Sequence, residues 1–92
     1  MSKPYIISYD LNTPGQTYEK VKDVIINFGG AYIKLQASFW LVRNDLTPGE
    51  MQQKLNSVLD KNDELFICEA VSNYQGLASK ENWDFIRESI FY

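Results

Sequence analysis

One carboxylate stands out by its position. Asp10 closes the run Tyr5-Ile6-Ile7-Ser8-Tyr9-Asp10, whose tyrosines and isoleucines are strong strand formers. The stretch Asp10-Leu11-Asn12-Thr13-Pro14-Gly15 behind it forces the chain to turn. A carboxylate on the C-terminal tip of a strand is placed for metal chemistry, since magnesium is often held by one or two carboxylates with water filling the shell. A two-fold dimer would bring two copies of Asp10 together from one sequence, and such a pair either binds a cation or raises an apparent pKa. The plainer alternative is that Asp10, with Asn12, caps the turn after the strand. Lys34 is a second candidate, the one cation on the strand face Tyr32-Lys34-Gln36; it suits a phosphate contact or a merely hydrophilic edge.

Composition narrows the chemistry. The chain has no histidine, which removes the commonest general base and the usual zinc ligand. Catalysis would have to run on carboxylates, hydroxyls, lysine or a hard metal ion. The net charge is −3 and the pI about 4.8, which disfavours a protein whose affinity comes from neutralising many phosphates. Glu64 and Glu69, at odd spacing, fall on opposite faces of a strand and form no pair. Asp60, Asp63 and Glu64 lack the glycine and ligand spacing of a calcium loop and read as solvated turn chemistry. The aromatic residues Tyr5, Tyr9, Phe39 and Trp40 invite comparison with base-stacking sheets. The third strand lacks the basic-Gly-aromatic-Gly pattern of such modules, so these side chains read as core or interface.

The elements that must position these residues follow from periodicity. Ninety-two residues make one small domain, and the 45% hydrophobic content supplies a core without staples. Thr17 is a candidate cap for a helix over about 18–28, with Tyr18, Val21, Ile25 and Phe28 on one stripe, ended by Gly29-Gly30. Ala31 to Gln36 reads as a second strand with Ala31, Ile33 and Leu35 facing the core. Ala37-Ser38 turns it into a third strand, Phe39 to Arg43, apolar on both faces and therefore central or covered outside. Thr47-Pro48-Gly49-Glu50 fits a capping box that starts a helix to about Leu59. Glu64 to Val71 is the fourth strand. Loop-like residues from Ser72 lead to a last helix from Lys80 to about Phe91, with Trp83, Ile86 and Ile90 on one stripe. That helix either covers the sheet face left bare by the other two or packs against a second subunit. The expected architecture is α+β: a ferredoxin-like βαββαβ, four antiparallel strands with two helices on one face, plus the C-terminal helix. Residues 1–71 form the core and 72–92 the C-terminal loop and helix. The lone Cys68 reads as a reduced thiol, and the absence of a leader or of an ~18-residue apolar run makes the cytoplasm the expected location.

The strand ending Tyr9-Asp10, followed by a helix and then Lys34-Leu35-Gln36-Ala37-Ser38-Phe39-Trp40, resembles the small ferredoxin-like subunit of the CRISPR spacer-integration complex. It is similar also to VapD-type endoribonucleases and to the short bacterial and phage proteins labelled SinR-family, which share the Asp-Leu-Asn-x-Pro-Gly turn at Asp10 to Gly15. The likeness covers roughly residues 4–71. It implies a homodimer in which Asp10 is a shared magnesium ligand and catalytic residue of an endonuclease or endoribonuclease. In that reading Ser38 orients the site, and Lys34 and Trp40 stand at nucleic-acid-binding positions. The relatives carry arginines or lysines just after the aspartate, whereas this chain has Thr13 to Tyr18 there. Two functions follow as expectations: metal-dependent phosphodiester hydrolysis or nucleic-acid scaffolding, and a catalytically silent module that binds a protein partner, such as a regulator or inhibitor from a mobile element.

Overall fold

The computed structural model describes residues 1–12 and 16–92. The chain runs β1 (Lys3–Asp10), α1 (Gln16–Ile26), β2 (Ala31–Gln36), β3 (Phe39–Asn44), α2 (Pro48–Asn56), β4 (Glu64–Glu69) and α3 (Lys80–Phe85), which continues as a π-helical turn over Ile86–Ile90. The strands form one sheet in the order β2-β3-β1-β4, each neighbouring pair antiparallel. This is the ferredoxin-like arrangement expected from the alternation of strand and helix signals.

The sheet carries a core on each face. On the first, Tyr5, Ile7 and Tyr9 of β1 and Trp40 and Val42 of β3 meet Val21 and Ile25 of α1 and Met51 and Leu55 of α2. On the second, Leu41 packs with Ile86 and Ile90 of the C-terminal helix, joined by Ile33, Leu35 and Trp83. The apolar character of β3 on both faces thus has its reason: it is central and covered on both sides. The trio Ala31, Ile33 and Leu35 does pack inward, but into this second core and not under α1 and α2. Of the two roles open to the last helix, it takes the intramolecular one over β2 and β3. Arg43 fastens it, with one guanidinium nitrogen donating to the Ile90 carbonyl (2.7 Å) and the charge lying over the Tyr92 ring (4.1 Å).

Element ends depart from expectation where capping differs. Helix α1 begins at Gln16, so Thr17 lies inside its first turn and is not the cap; the residues ahead of it, Thr13 to Gly15, lie outside the described ones. The helix closes at Ile26, with Asn27 Nδ2 donating to the Asp23 carbonyl (2.7 Å). The glycine pair follows as expected, both residues at positive φ (+88° and +76°). Helix α2 has the anticipated capping box, Thr47 Oγ1 accepting from Glu50 N and Glu50 Oε1 from Thr47 N, but it stops at Asn56. Strand β4 ends at Glu69.

Candidate functional site

Asp10 ends β1 directly opposite Glu64, the first residue of β4. Two carboxylates therefore sit side by side at one tip of the sheet, both exposed. Like charges placed opposite one another weaken a strand pair, so this tip is a point of local repulsion. Neither side chain joins an ion pair among the described residues. Asn12 is held from β4's side: Asp63 Oδ1 accepts from Asn12 N (2.7 Å) while Oδ2 accepts from Asp60 N (2.8 Å). The capping of the turn by Asp10 rests on residues outside the described ones. Among the described residues no three Asp, Glu or Cys side chains are grouped closely enough to hold a metal ion. One chain thus offers at most the Asp10–Glu64 pair, a donor count that magnesium accepts but that leaves most of its shell to water.

Ser38 lies in the two-residue turn between β2 and β3. Its carbonyl accepts from Tyr9 N (3.1 Å), which keeps it beside the β1 tip. Its hydroxyl faces the Tyr18 hydroxyl of α1 at 3.4 Å. The Tyr18 ring tilts against Tyr9 with centroids 5.9 Å apart, and the Tyr9 hydroxyl accepts from Trp40 Nε1 at 2.9 Å. Burial pushes the Tyr9 phenol above its ordinary value; the Trp40 bond works against this and the nearby Tyr18 adds to it. This chain of polar tips, Trp40 to Tyr9 and Tyr18 to Ser38, was not foreseen from the sequence. The signal was present, since a buried Tyr or Trp at an inward strand position needs a partner for its polar end.

Trp40 is 2% exposed, so it offers no ring face to a base. Lys34 stands opposite Trp40, which stands opposite Ile7, and its Nζ lies 6.0 Å from the indole ring. Two strand spacings and three residues along the strand put its α-carbon roughly 14 Å from that of Asp10. A lysine side chain does not span that gap. Of the four residues singled out from sequence, Asp10 and Ser38 therefore stand near one another at the β1 tip, whereas Trp40 is core and Lys34 lies on the far edge.

The C-terminal helix leaves part of the second face uncovered along β4, the strand that, like the tail helix, is an expected contributor to a dimer interface. There β1 and β4 pair Ser8 with Phe66 and Asp10 with Glu64, while Ile6, opposite Cys68, packs into the second core. Phe66 is 66% exposed at its centre. An alternating polar-apolar run, Glu64-Leu65-Phe66-Ile67, would have left a polar residue at that position, so Phe66 was a readable departure from pattern.

No family model matches the chain, and no curated protein does. Among solved structures it is similar to the hypothetical protein TT1823 from Thermus thermophilus, at 19% identity and a TM-score of 0.65 over 86% of this chain and 94% of that one. It also aligns with a domain of unknown function, DUF77, from Bacillus cereus, at 16% identity and a TM-score of 0.49 over 92% of each chain. The Thermus likeness supports the fold. Among the described residues no helix is long and apolar enough to cross a membrane.

Proposed function

We propose that this chain is a catalytically silent binding module that works as a homodimer, closing the bare β1/β4 half of its second face against a second copy. The observation that carries this reading is Phe66, a large apolar side chain held 66% exposed on β4 opposite Ser8. Charge favours one arrangement of the two copies. If the two-fold axis runs across the strands, the Asp10–Glu64 tip of one copy lies over the Pro4 end of the other, and the acidic tips stay apart. A net charge of −3 and the distance of Lys34 from Asp10 support a module that does not process nucleic acid. Its acidic face would engage a protein partner.

The register of Asp10 with Glu64 favours a second reading. The opposite two-fold gathers both tips, hence four carboxylates, and these would hold a magnesium ion as the resemblance to the CRISPR-associated subunit implies. When bound, that ion would supply an activated water for phosphodiester hydrolysis. Lys34 would then sit too far away to neutralise the same phosphate, and Ser38 would act through its position beside the tip.

The two readings differ in what association depends on. In the first, the dimer forms in chelator and Phe66→Asp weakens it. Burying two phenylalanines contributes about 3–6 kcal/mol, so the variant should raise the dimer Kd roughly 10²- to 10⁴-fold. In the second, association requires a divalent cation and is lost in Asp10→Asn. Light scattering of both variants, with magnesium or with chelator, separates them; a strict monomer under both conditions removes the dimer from the account.

A further inference from the structure

We infer that the slot between the second sheet face and the C-terminal segment is a binding site for a small, uncharged, largely apolar molecule that carries an amide, carbonyl or hydroxyl edge. The slot measures about 370 Å³, within the range of ligand pockets, which begins near ~300 Å³. One wall is sheet, made by Ile6, Leu35, Phe39 and Leu41. The other is the tail: Trp83 and Ile86 of the C-terminal helix, and the loop from Tyr74 to Ala78. Tyr74 fixes that loop by stacking on Trp83 (5.9 Å, 13°) and on Phe91 (4.7 Å, 27°).

The chemistry of the lining selects the ligand. Among the described residues no Asp, Glu, Lys or Arg borders the slot, in a chain that is 23% charged. A charged ligand would leave water with no counter-ion to meet it, which argues against phosphates, nucleotides and carboxylic acids. Three residues with amide side chains, Gln36, Gln75 and Asn82, line the slot. Each amide both donates and accepts, and the side-chain hydrogen bonds of the described residues engage none of the three amides. A few polar groups converging on apolar walls are what orients a small ligand. The wall beside Ile86 is also where the helix widens, with Phe91 N donating five residues back to the Ile86 carbonyl (2.9 Å). Such π-helical turns occur often at functional sites. The slot lies beside the Phe66 surface and does not depend on it.

The full chain can be titrated with N-phenyl-1-naphthylamine, a neutral fluorescent probe, and in parallel with the anionic 8-anilinonaphthalene-1-sulfonate. The neutral probe should bind with one saturable site per chain. Methyl resonances of Ile6, Leu35 and Ile86 should shift while those of Val21 and Leu55 in the first core stay put. The anionic probe should bind at least about tenfold more weakly, and Ala78→Phe, which fills the slot, should abolish the neutral probe's signal. Should that variant misfold, the methyl shifts of the native protein decide the matter alone. Absence of a saturable signal, equal affinity for both probes, or shifts centred elsewhere would overturn the site. So would probe binding that splits a dimer in step with saturation, because a second copy would then be the slot's natural occupant.

Discussion

Replacing Trp40 with phenylalanine asks most directly whether that side chain is structure or a nucleic-acid contact. The indole is 2% exposed and its Nε1 donates to the Tyr9 hydroxyl at 2.9 Å. Phenylalanine removes that bond, for about 0.5–1.5 kcal/mol. It also removes the benzo portion of a buried ring from a packed layer, for roughly 1–2 kcal/mol of transfer and cavity cost. The expected destabilisation is about 1.5–3.5 kcal/mol, which lowers Tm by roughly 6–28 °C in a domain of this size. Urea and thermal melts followed by circular dichroism measure it. A second readout belongs to the hydrogen bond alone: because Trp40 holds the Tyr9 phenol down against burial, the variant should titrate Tyr9 still higher. Retention of any oligonucleotide should be the same in both proteins. A stability loss under about 0.5 kcal/mol together with loss of nucleic-acid retention would refute the reasoning and return Trp40 to a binding role.

The paired glycines after α1 should respond unequally to alanine. Gly29, at φ +88° with open space around its missing Cβ, should cost about 1–2 kcal/mol as Gly29→Ala. Gly30, at φ +76° with the backbone carbonyl of Arg43 in the way, should cost well over twice that as Gly30→Ala; urea midpoints showing equal losses would contradict the close approach. Tyr9 should make stability fall at alkaline pH. Its folded pKa is raised above 10.0, so above that pH the unfolded chain loses a proton that the fold retains, and stability declines as pH rises. Tyr9→Phe should flatten this alkaline slope in pH-dependent urea titrations, and an unchanged slope would show that the phenol is not the group responsible.

Much of the fold was legible because local signals agreed with one another. The Thr47–Glu50 box, the Gly29-Gly30 stop and the two-residue Ala37–Ser38 turn punctuate the chain, and β3 declared its central place by being apolar on both faces. What was not legible was depth. Alternation told that Ala31, Ile33 and Leu35 face inward, but not which of two cores they join, because that depends on where the tail helix docks. The same limit applied to the site. Asp10, Lys34, Ser38 and Trp40 were joined into one centre only by the family resemblance. Strand order decided otherwise: β3 stands between β2 and β1, which sets Lys34 far from Asp10, and the pleat turns Trp40 under α1 and α2. The Asp10–Glu64 juxtaposition arises only from the β1–β4 register, a long-range pairing that no local motif encodes.

The central claim is that association rests on the apolar half-face around Phe66 and not on a cation at the acidic tips. Light scattering of the native protein in excess chelator, repeated in magnesium, tests it in one measurement. The account predicts a dimer of the same mass in both. A monomer in chelator that becomes a dimer only in magnesium would contradict it and establish the paired Asp10–Glu64 tips as the functional centre.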